Sequence, residues 1–600
     1  MKELLQGNEA IARGAYEAGV QVATGYPGTP SSEILKTIAL KYNDSIYTEW
    51  STNEKVAMDA AAGAAYSGKR TIVTTKQVGM NVMSDSLLYT VYTGAEAGLV
   101  IVTADDPGFF STQNEQDNRW YGKLAKIPIL EPQDSQEAKD YVIKGIELSE
   151  RFDTPILIRT TMRTSHSKTV VEIGERDEVD KSRDKFPRNQ KKYVMTAKWA
   201  KERHPVVEDR LDEISDYATD SPLNFIDWGN KELGIITSAV NFTYAQDVFP
   251  EASFLKLGIT YPLPEKLVRK FATEVEKVLV IEELDPFLQE TIQAMGIEVT
   301  GKEIFPKCGE LLPDDIFEYV EGTEFAPKRG IPEPESRIEE DLPERSPVLC
   351  PGCPHRSSFH ILAEKDIPVA GDIGCYNLGC LEPFNAQHTM GCMGASLGVM
   401  HGMSISDLDE PVVATIGDST FFHSGMPPLA NLVHNKGNGT AIIMDNRTTA
   451  MTGHQDHPGI TETLRGEKTK KIDIEKVVRA MGVEKVEVVD AFDVEAVREG
   501  LEECNDYDGP AVLITEGECI QIHSGETQQA YEVNPEECIA CGKCLELGCP
   551  AIVKTDEEYK DTGRYKAGID PVLCVGSTCD VCRQVCPTGA IKAPEEQEVG

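Results

Sequence analysis

Eight cysteines crowd the end of this 600-residue chain in two short runs, CIACGKCLELGCP at 538–550 and CVGSTCDVCRQVCP at 574–587. Each run closes on a Cys-Pro junction. Nothing else in the chain restricts its fold as much, because thiols two residues apart lie on tight loops and are suited to sharing one inorganic centre. The N-terminus, MKELLQGNEA, lacks the apolar core of a secretory leader, and no apolar run approaches the ~18–20 residues that cross a bilayer. In a reducing cytoplasm, the expected location, the sixteen cysteines are expected to ligate metal rather than pair as disulfides.

Cys538, Cys541 and Cys544 followed by Cys549-Pro550 resemble the C-x2-C-x2-C…C-P spacing of bacterial ferredoxins, as do Cys574, Cys579, Cys582 and Cys586-Pro587. In that arrangement the fourth cysteine of each run serves the opposite cluster. The expectation is one [4Fe-4S] cluster on Cys538, Cys541, Cys544 and Cys586, and a second on Cys549, Cys574, Cys579 and Cys582. Two gaps depart from the common pattern: Cys544–Cys549 is one residue longer and Cys574–Cys579 two residues longer. A pair of zinc sites is the alternative, since zinc also takes clustered thiolates.

Charge narrows the partners. With 99 acidic and 59 basic residues the formal charge is −40, which disfavours nucleic-acid phosphates. A salty cytosol and a merely acidic surface account for it equally well. Neither a nucleic acid nor a membrane is expected as a partner.

Ahead of the cysteine tail, short apolar runs alternate with helical stretches. VQVATGYPGTP, RTIVTT, AGLVIVTADDPG and TPILIRTT read as buried strands of a first parallel α/β domain, 1–180. A charged stretch of about 172–222 shows no core pattern and reads, over 181–222, as a solvated insertion. LGIITSA, ASFLKLG and VEKVLVIEE build a second α/β domain, 223–322, and a Pro- and charge-rich segment, 323–347, is the linker. PVVATIGD, GTAIIMDN and PAVLITEGE build a third, 348–527, before the tail domain, 528–600.

The third domain carries a cofactor pattern. Gly417-Asp418-Ser419 ends one strand, Asp445-Asn446 ends another, and twenty-five residues separate Ser419 from Asp445. This resembles the thiamine diphosphate motif, GDG followed by about twenty-five residues and NN. Mg²⁺ takes oxygen ligands, which Asp418, Asn446 and the Thr448 carbonyl can supply beside the diphosphate. Ser419 and Asp445 depart from the motif at positions that are not the expected ligands. A chance GD…DN pair in an α/β protein is the alternative.

Thiamine chemistry also needs a carboxyl group at N1′ of the aminopyrimidine, to promote the tautomer that removes the C2 proton. YTEWSTNEKVAMDAAAGAAYSGKRT offers Glu49 and Glu54, with Glu54 at a helix start after Ser51-Thr52-Asn53. A first-turn Glu favoured only by the helix dipole is the plainer reading. GYPGTPSSE adds a turn whose Thr29 can face a cofactor, or a simple β-to-α turn capped by Ser31 or Ser32.

Together GYPGTPSSE, EWSTNEKVA, LKLGITYPLPE, VIEELDPF, CPGCPHR, GDIGCYNLG, GDSTFFHSG and MDNRTTAMTGHQ resemble the 2-oxoacid:ferredoxin oxidoreductases, most nearly the large subunits of the indolepyruvate type. The resemblance implies a multidomain thiamine-diphosphate-binding α/β fold with a C-terminal ferredoxin-like 2[4Fe-4S] domain. It implies Glu54 as the N1′ acid, Thr29 beside the cofactor, and Asp418, Asn446 and Thr448 on magnesium. Cys350, Cys353, Cys375 and Cys519 match a further cluster site near thiamine, with a dithiol pair or buried cysteines as the plain alternative. Cys380 and Cys392 receive no role and are expected to be buried. A smaller beta subunit in an α2β2 assembly, an external ferredoxin, an aryl 2-oxoacid and coenzyme A are the implied partners. Another 2-oxoacid specificity, a non-oxidative decarboxylase, and an electron-transfer subunit with a vestigial thiamine site are the competing functions.

Overall fold

The strands read from the apolar runs are present. The computed structural model describes residues 1–178, 186–327, 345–406, 408, 410–523 and 529–593. Most of the 323–347 linker therefore lies outside the described residues, as do parts of the 181–222 stretch and the last seven residues of the tail. The chain divides into two compact units, Met1–Ile338 with Leu464–Gly466, and Glu339–Thr463 with Glu467–Gly600.

In the first unit Val22–Gly25, Tyr47–Trp50, Thr71–Lys76, Leu99–Asp105, Ile129–Leu130 and Ile156–Thr161 form a parallel sheet. Its continuous β-branched runs are what a sheet covered on both faces requires. Leu99 and Ile101 enter one apolar core with Met80, Met83 and Leu87, while Val100 and Val102 enter the other with Ile11, Ile34 and Ile38. Alternate side chains leave a strand on opposite faces, so one run of sequence feeds both cores.

Two expectations about this unit are corrected. The 223–322 segment is not self-contained. Its strands Val278–Ile281, Asn230–Ser238, Ala252–Leu257 and Asn224–Asp227 make a four-stranded sheet, but Ile259–Tyr261 pairs antiparallel with Ile129–Leu130 at the edge of the first sheet. The two sheets also share buried charge. Arg119, which bonds Asp117, reaches Glu282 beside the second sheet at 2.7 Å; within the first sheet Arg159 bridges Asp105 and Glu131, each at 2.8 Å. The stretch read as a solvated insertion contains the helix Ala197–Asp220, which buries Val207, Arg210, Ile214 and Ala218. That stripe recurs every three or four residues but is only one side chain wide, so the surrounding charge hides it.

The second unit holds a six-stranded, wholly parallel sheet in the order Thr389–Met390, Val369–Gly371, Val413–Gly417, Gly439–Asp445, Pro510–Glu516, Lys485–Asp490. The cysteine tail follows in the same unit. It is built on the hairpin Ile552–Glu558 and Tyr565–Ile569 and on the pair Glu532–Val533 with Ile591–Lys592. The two longer cysteine gaps are taken up by 3-10 turns, Leu545–Leu547 and Gly576–Thr578, the first ending at Gly548 with φ 58°. Among the described residues no helix is long and apolar enough to cross a membrane.

Candidate functional site

In the first unit the carboxyl ends of neighbouring strands collect the expected pyrimidine-side residues. Glu54 opens the helix Glu54–Tyr66, whose N-cap is Asn53, with its side chain accepting the Val56 N–H at 2.9 Å. The cap is therefore Asn53, leaving Glu54 a side chain that is 5% exposed and faces inward. A Cβ at Gly79 would stand 2.4 Å from Glu54 Oε1, so the carboxylate lies in a cradle that only a glycine leaves open. Glu49 instead accepts hydrogen bonds from the Tyr47 and Ser51 hydroxyls.

Thr29 is half-buried on its turn, and its carbonyl accepts from Ser111 Oγ at 3.1 Å. Ser31 occupies the N-cap position of Ser32–Lys41 without capping it; its hydroxyl donates to the Gly28 carbonyl at 2.9 Å. Lys76, at the end of Thr71–Lys76, was not anticipated. Its Nζ donates to the Ser111 carbonyl, and no ion pair to it occurs among the described residues. Burial lowers its pKa, against the pull of Asp106 and Glu54. A run reading TTK gives no sign of this; only folding brings Gly28, Lys76 and Glu54 side by side.

In the second unit Asp418 and Asn446 follow the carboxyl ends of hydrogen-bonded neighbours, Val413–Gly417 and Gly439–Asp445. Ligands of open parallel sheets bind at this end of the strands. Asp418 Oδ1 accepts the Ser419 N–H and Oδ2 the Arg447 N–H, each at 2.7 Å, and His457 Nε2 lies 3.2 Å from Oδ2. Burial would raise Asp418, but the His457 ring holds it below the usual carboxylate range. Asp445 goes the other way, pushed up to about 7 by burial and then by the charge of Asp418. Two buried carboxylates in this relation are short of positive charge, which is what a divalent cation would supply. The donor set therefore fits magnesium.

Asn446 Oδ1 accepts the Thr448 N–H at 3.2 Å, while its Nδ2 lies 3.4 Å from His355 Nε2. Burial pushes His355 down to about 4, so its ring is neutral at pH 7. Ser419 receives the Thr449 hydroxyl at 2.8 Å. Gly417 leaves room for the Tyr376 ring, which a Cβ there would meet at 2.6 Å. His355, His457 and Tyr376 are the site residues that sequence reasoning missed, and Asp445 was read only as a departure from the motif. The first and third were visible only as letters within CPGCPHR and GDIGCYNLG.

The eight tail thiols fall into two groups. Cys538, Cys541, Cys544 and Cys586 line one small cavity; Cys549, Cys574, Cys579 and Cys582 line another. Burial, then neighbouring thiols, push Cys544 and Cys579 up to about 11. Cys350, Cys353, Cys375 and Cys519 are likewise mutual neighbours: burial and then Cys519 and Cys350 raise Cys375 to about 11, and Cys353 is raised to about 12. The Cys519 N–H donates to the Asn446 carbonyl at 3.1 Å, tying this third quartet to the motif. Among the described residues no three His, Cys, Asp or Glu side chains could hold a single metal ion. Each tail quartet borders one shared cavity, and four clustered thiols are a donor set that an iron–sulfur cluster takes. Cys380 and Cys392, expected to be buried, are exposed.

Two family models match this chain. Residues 13–220 match the pyruvate flavodoxin/ferredoxin oxidoreductase thiamine-diphosphate-binding family, and residues 372–515 match the C-terminal TPP-binding domain of thiamine pyrophosphate enzymes. The first match runs through the helix Ala197–Asp220. A 2-oxoglutarate:ferredoxin oxidoreductase structure from Magnetococcus marinus aligns at 17% identity over 53% of this chain and 64% of that one, with TM-score 0.44. Indolepyruvate oxidoreductase subunit IorA of Archaeoglobus fulgidus is 41% identical over 98% of this chain and 97% of its own length. Its counterpart in Methanothermobacter thermautotrophicus is 40% identical over the same shares, and that of Pyrococcus horikoshii 38% identical over 100% and 98%. With likeness of this depth running end to end through both strand-end sites and the cysteine tail, the chain belongs to the IorA family of indolepyruvate oxidoreductase subunits.

Proposed function

We propose that this chain is the thiamine-diphosphate-dependent alpha subunit of an indolepyruvate:ferredoxin oxidoreductase. It oxidatively decarboxylates aryl 2-oxoacids to aryl-acetyl-CoA and CO2. The tail cysteines would hold [4Fe-4S] clusters, which would supply a path for the two electrons released toward an external ferredoxin. The observation that carries this reading is the sorting of eight tail cysteines into two quartets, in the same unit as a strand-end carboxylate pair suited to magnesium diphosphate. A decarboxylase that moves no electrons has no use for such a tail.

When bound, thiamine diphosphate supplies the nucleophilic carbon and the electron sink. Glu54 holds the proton exchanged at N1′ of the aminopyrimidine, sheltered from water in its cradle. Thr29 borders the same strand end. Asp418, Asn446 and the Thr448 carbonyl would hold magnesium, with Gly417 and Ser419 shaping the loop. Lys76, a half-buried cation with no carboxylate partner among the described residues, receives the carboxylate of the 2-oxoacid. Cys538, Cys541, Cys544 and Cys586 hold one cluster and Cys549, Cys574, Cys579 and Cys582 a second, in a ferredoxin-like domain spanning 528–600. Cys350, Cys353, Cys375 and Cys519 hold a third, beside the diphosphate loop. A smaller beta subunit completes an α2β2 enzyme, with coenzyme A as co-substrate. The pyrimidine-side domain runs to about residue 220, and the diphosphate-side domain covers 348–527.

Anaerobic co-expression with the smaller subunit tests this, using viologen reduction across a panel of 2-oxoacids with coenzyme A. Aryl-pyruvates are expected to be the best substrates, with iron and acid-labile sulfide present in equal amounts. Active enzyme containing zinc and no sulfide would overturn the reading.

A further inference from the structure

Arg356 is an anomaly that none of these roles absorbs. Its side chain is 1% exposed, and it reaches only neutral acceptors: the Leu547 carbonyl from Nη1, and the Leu349 and Cys350 carbonyls from Nη2 at 2.9 and 2.8 Å. Nε has no hydrogen-bond partner. No ion pair to it occurs among the described residues, although its nearest analogues in the chain, the buried Arg119 and Arg159, each hold two carboxylates. Taking a guanidinium out of water costs several kcal/mol unless an opposite charge compensates it. Carbonyl dipoles meet that only in part.

The charge of Arg356 opposes the burial that raises Cys353 as well as Cys579, but the cavity it lines is that of the tail quartet Cys549, Cys574, Cys579 and Cys582. A cube held by four thiolates is a net anion, and one-electron reduction adds another negative charge. A fixed cation at its edge, in a low-dielectric surround, therefore favours the reduced form.

We propose that Arg356 is the counter-charge of the cluster on Cys549, Cys574, Cys579 and Cys582 and raises its reduction potential, making it the more readily reduced of the two tail clusters. Arg356 is here a positioning and tuning residue, set in the chain three residues after Cys353. The inference rests on reading those four cysteines as cluster ligands. Iron and sulfide analysis of the wild-type complex tests that reading separately.

The experiment is a potentiometric titration of the co-expressed complex followed by electron paramagnetic resonance. The signals are assigned beforehand through Cys582→Ser and Cys541→Ser. Arg356→Gln keeps hydrogen-bonding capacity without charge, and Arg356→Lys keeps charge without the forked geometry. Arg356→Gln is expected to lower the reduced fraction of the Cys582 cluster at least tenfold at fixed potential, about 59 mV for one electron. Arg356→Lys is expected to stay within threefold of wild type, and the Cys541 cluster to stay unchanged in both. Arg356→Met replaces Arg356→Gln if the latter loads no iron. Equal shifts in Gln and Lys variants, or a Cys541 cluster that moves as far as the Cys582 cluster, would show that Arg356 only braces the loops.

Discussion

Gly79→Ala offers a measured displacement of one group in the pyrimidine-side site. The new Cβ would fall 2.4 Å from Glu54 Oε1 and 2.1 Å from Thr75 Oγ1, where ordinary contact begins at 3.4 Å. Gly79 is not among the positive-φ residues, so alanine brings no backbone strain of its own. The Glu54 carboxylate must therefore retreat by about 1 Å, a misplacement that costs on the order of 100-fold in rate, or ~2.7 kcal/mol in the barrier. Overpacking costs the fold roughly 1–3 kcal/mol. Viologen reduction by the co-expressed complex reads the first effect and a urea midpoint the second, with thiamine content and iron content as controls. Glu54→Gln is expected to lose turnover at least as severely while keeping its iron. The double variant should be no worse than Glu54→Gln alone, because both changes act through one carboxylate. A folded, thiamine-loaded Gly79→Ala enzyme within threefold of wild type would refute the placement of Glu54 at the reacting centre.

Lys76→Met is expected to raise KM for aryl-pyruvate at least tenfold with thiamine content intact, while oxidation of the matching aldehyde, which lacks a carboxylate, stays near wild type. Equal loss on both substrates would remove Lys76 from carboxylate recognition. Glu283, raised to about 7 by burial, keeps its proton in the folded state up to that pH and in the unfolded state only to about 4.5. The stability it contributes is thus full below pH 4.5 and lost as pH rises through 7. Glu283→Gln should raise the unfolding free energy read from urea titration at pH 8 by up to about 3 kcal/mol and change it little at pH 5; a gain independent of pH would contradict the assignment. Arg119→Met strands Asp117 and Glu282 without their cation and should cost roughly 3–5 kcal/mol in unfolding free energy, a loss absent if the network contributes nothing.

How much of this was legible beforehand depends on the range of the interaction. Glu54 was placed at a helix start because Asn53 precedes it by one residue, and a cap is a local event. The inward turn of its carboxylate was not legible, because that depends on Gly79, twenty-five residues away, having no side chain. The helix Ala197–Asp220 was missed for the converse reason: its four buried positions are outnumbered by charges facing water. Asp445 looked like a neutral departure from a motif until the fold set it against Asp418.

Cysteine spacing, the strand-ending GD and DN pairs and the alternation of apolar runs are short-range records of backbone geometry, and the chain carries them unaided. They determined the kind of chemistry and the parallel α/β class. Which covered cations lack an ion pair among the described residues, as at half-buried Lys76 and buried Arg356, was decided only by packing. So was the lending of Ile259–Tyr261 to the first sheet. Burial and electrostatic balance belong to neighbours far apart in the chain, and no local pattern encodes them.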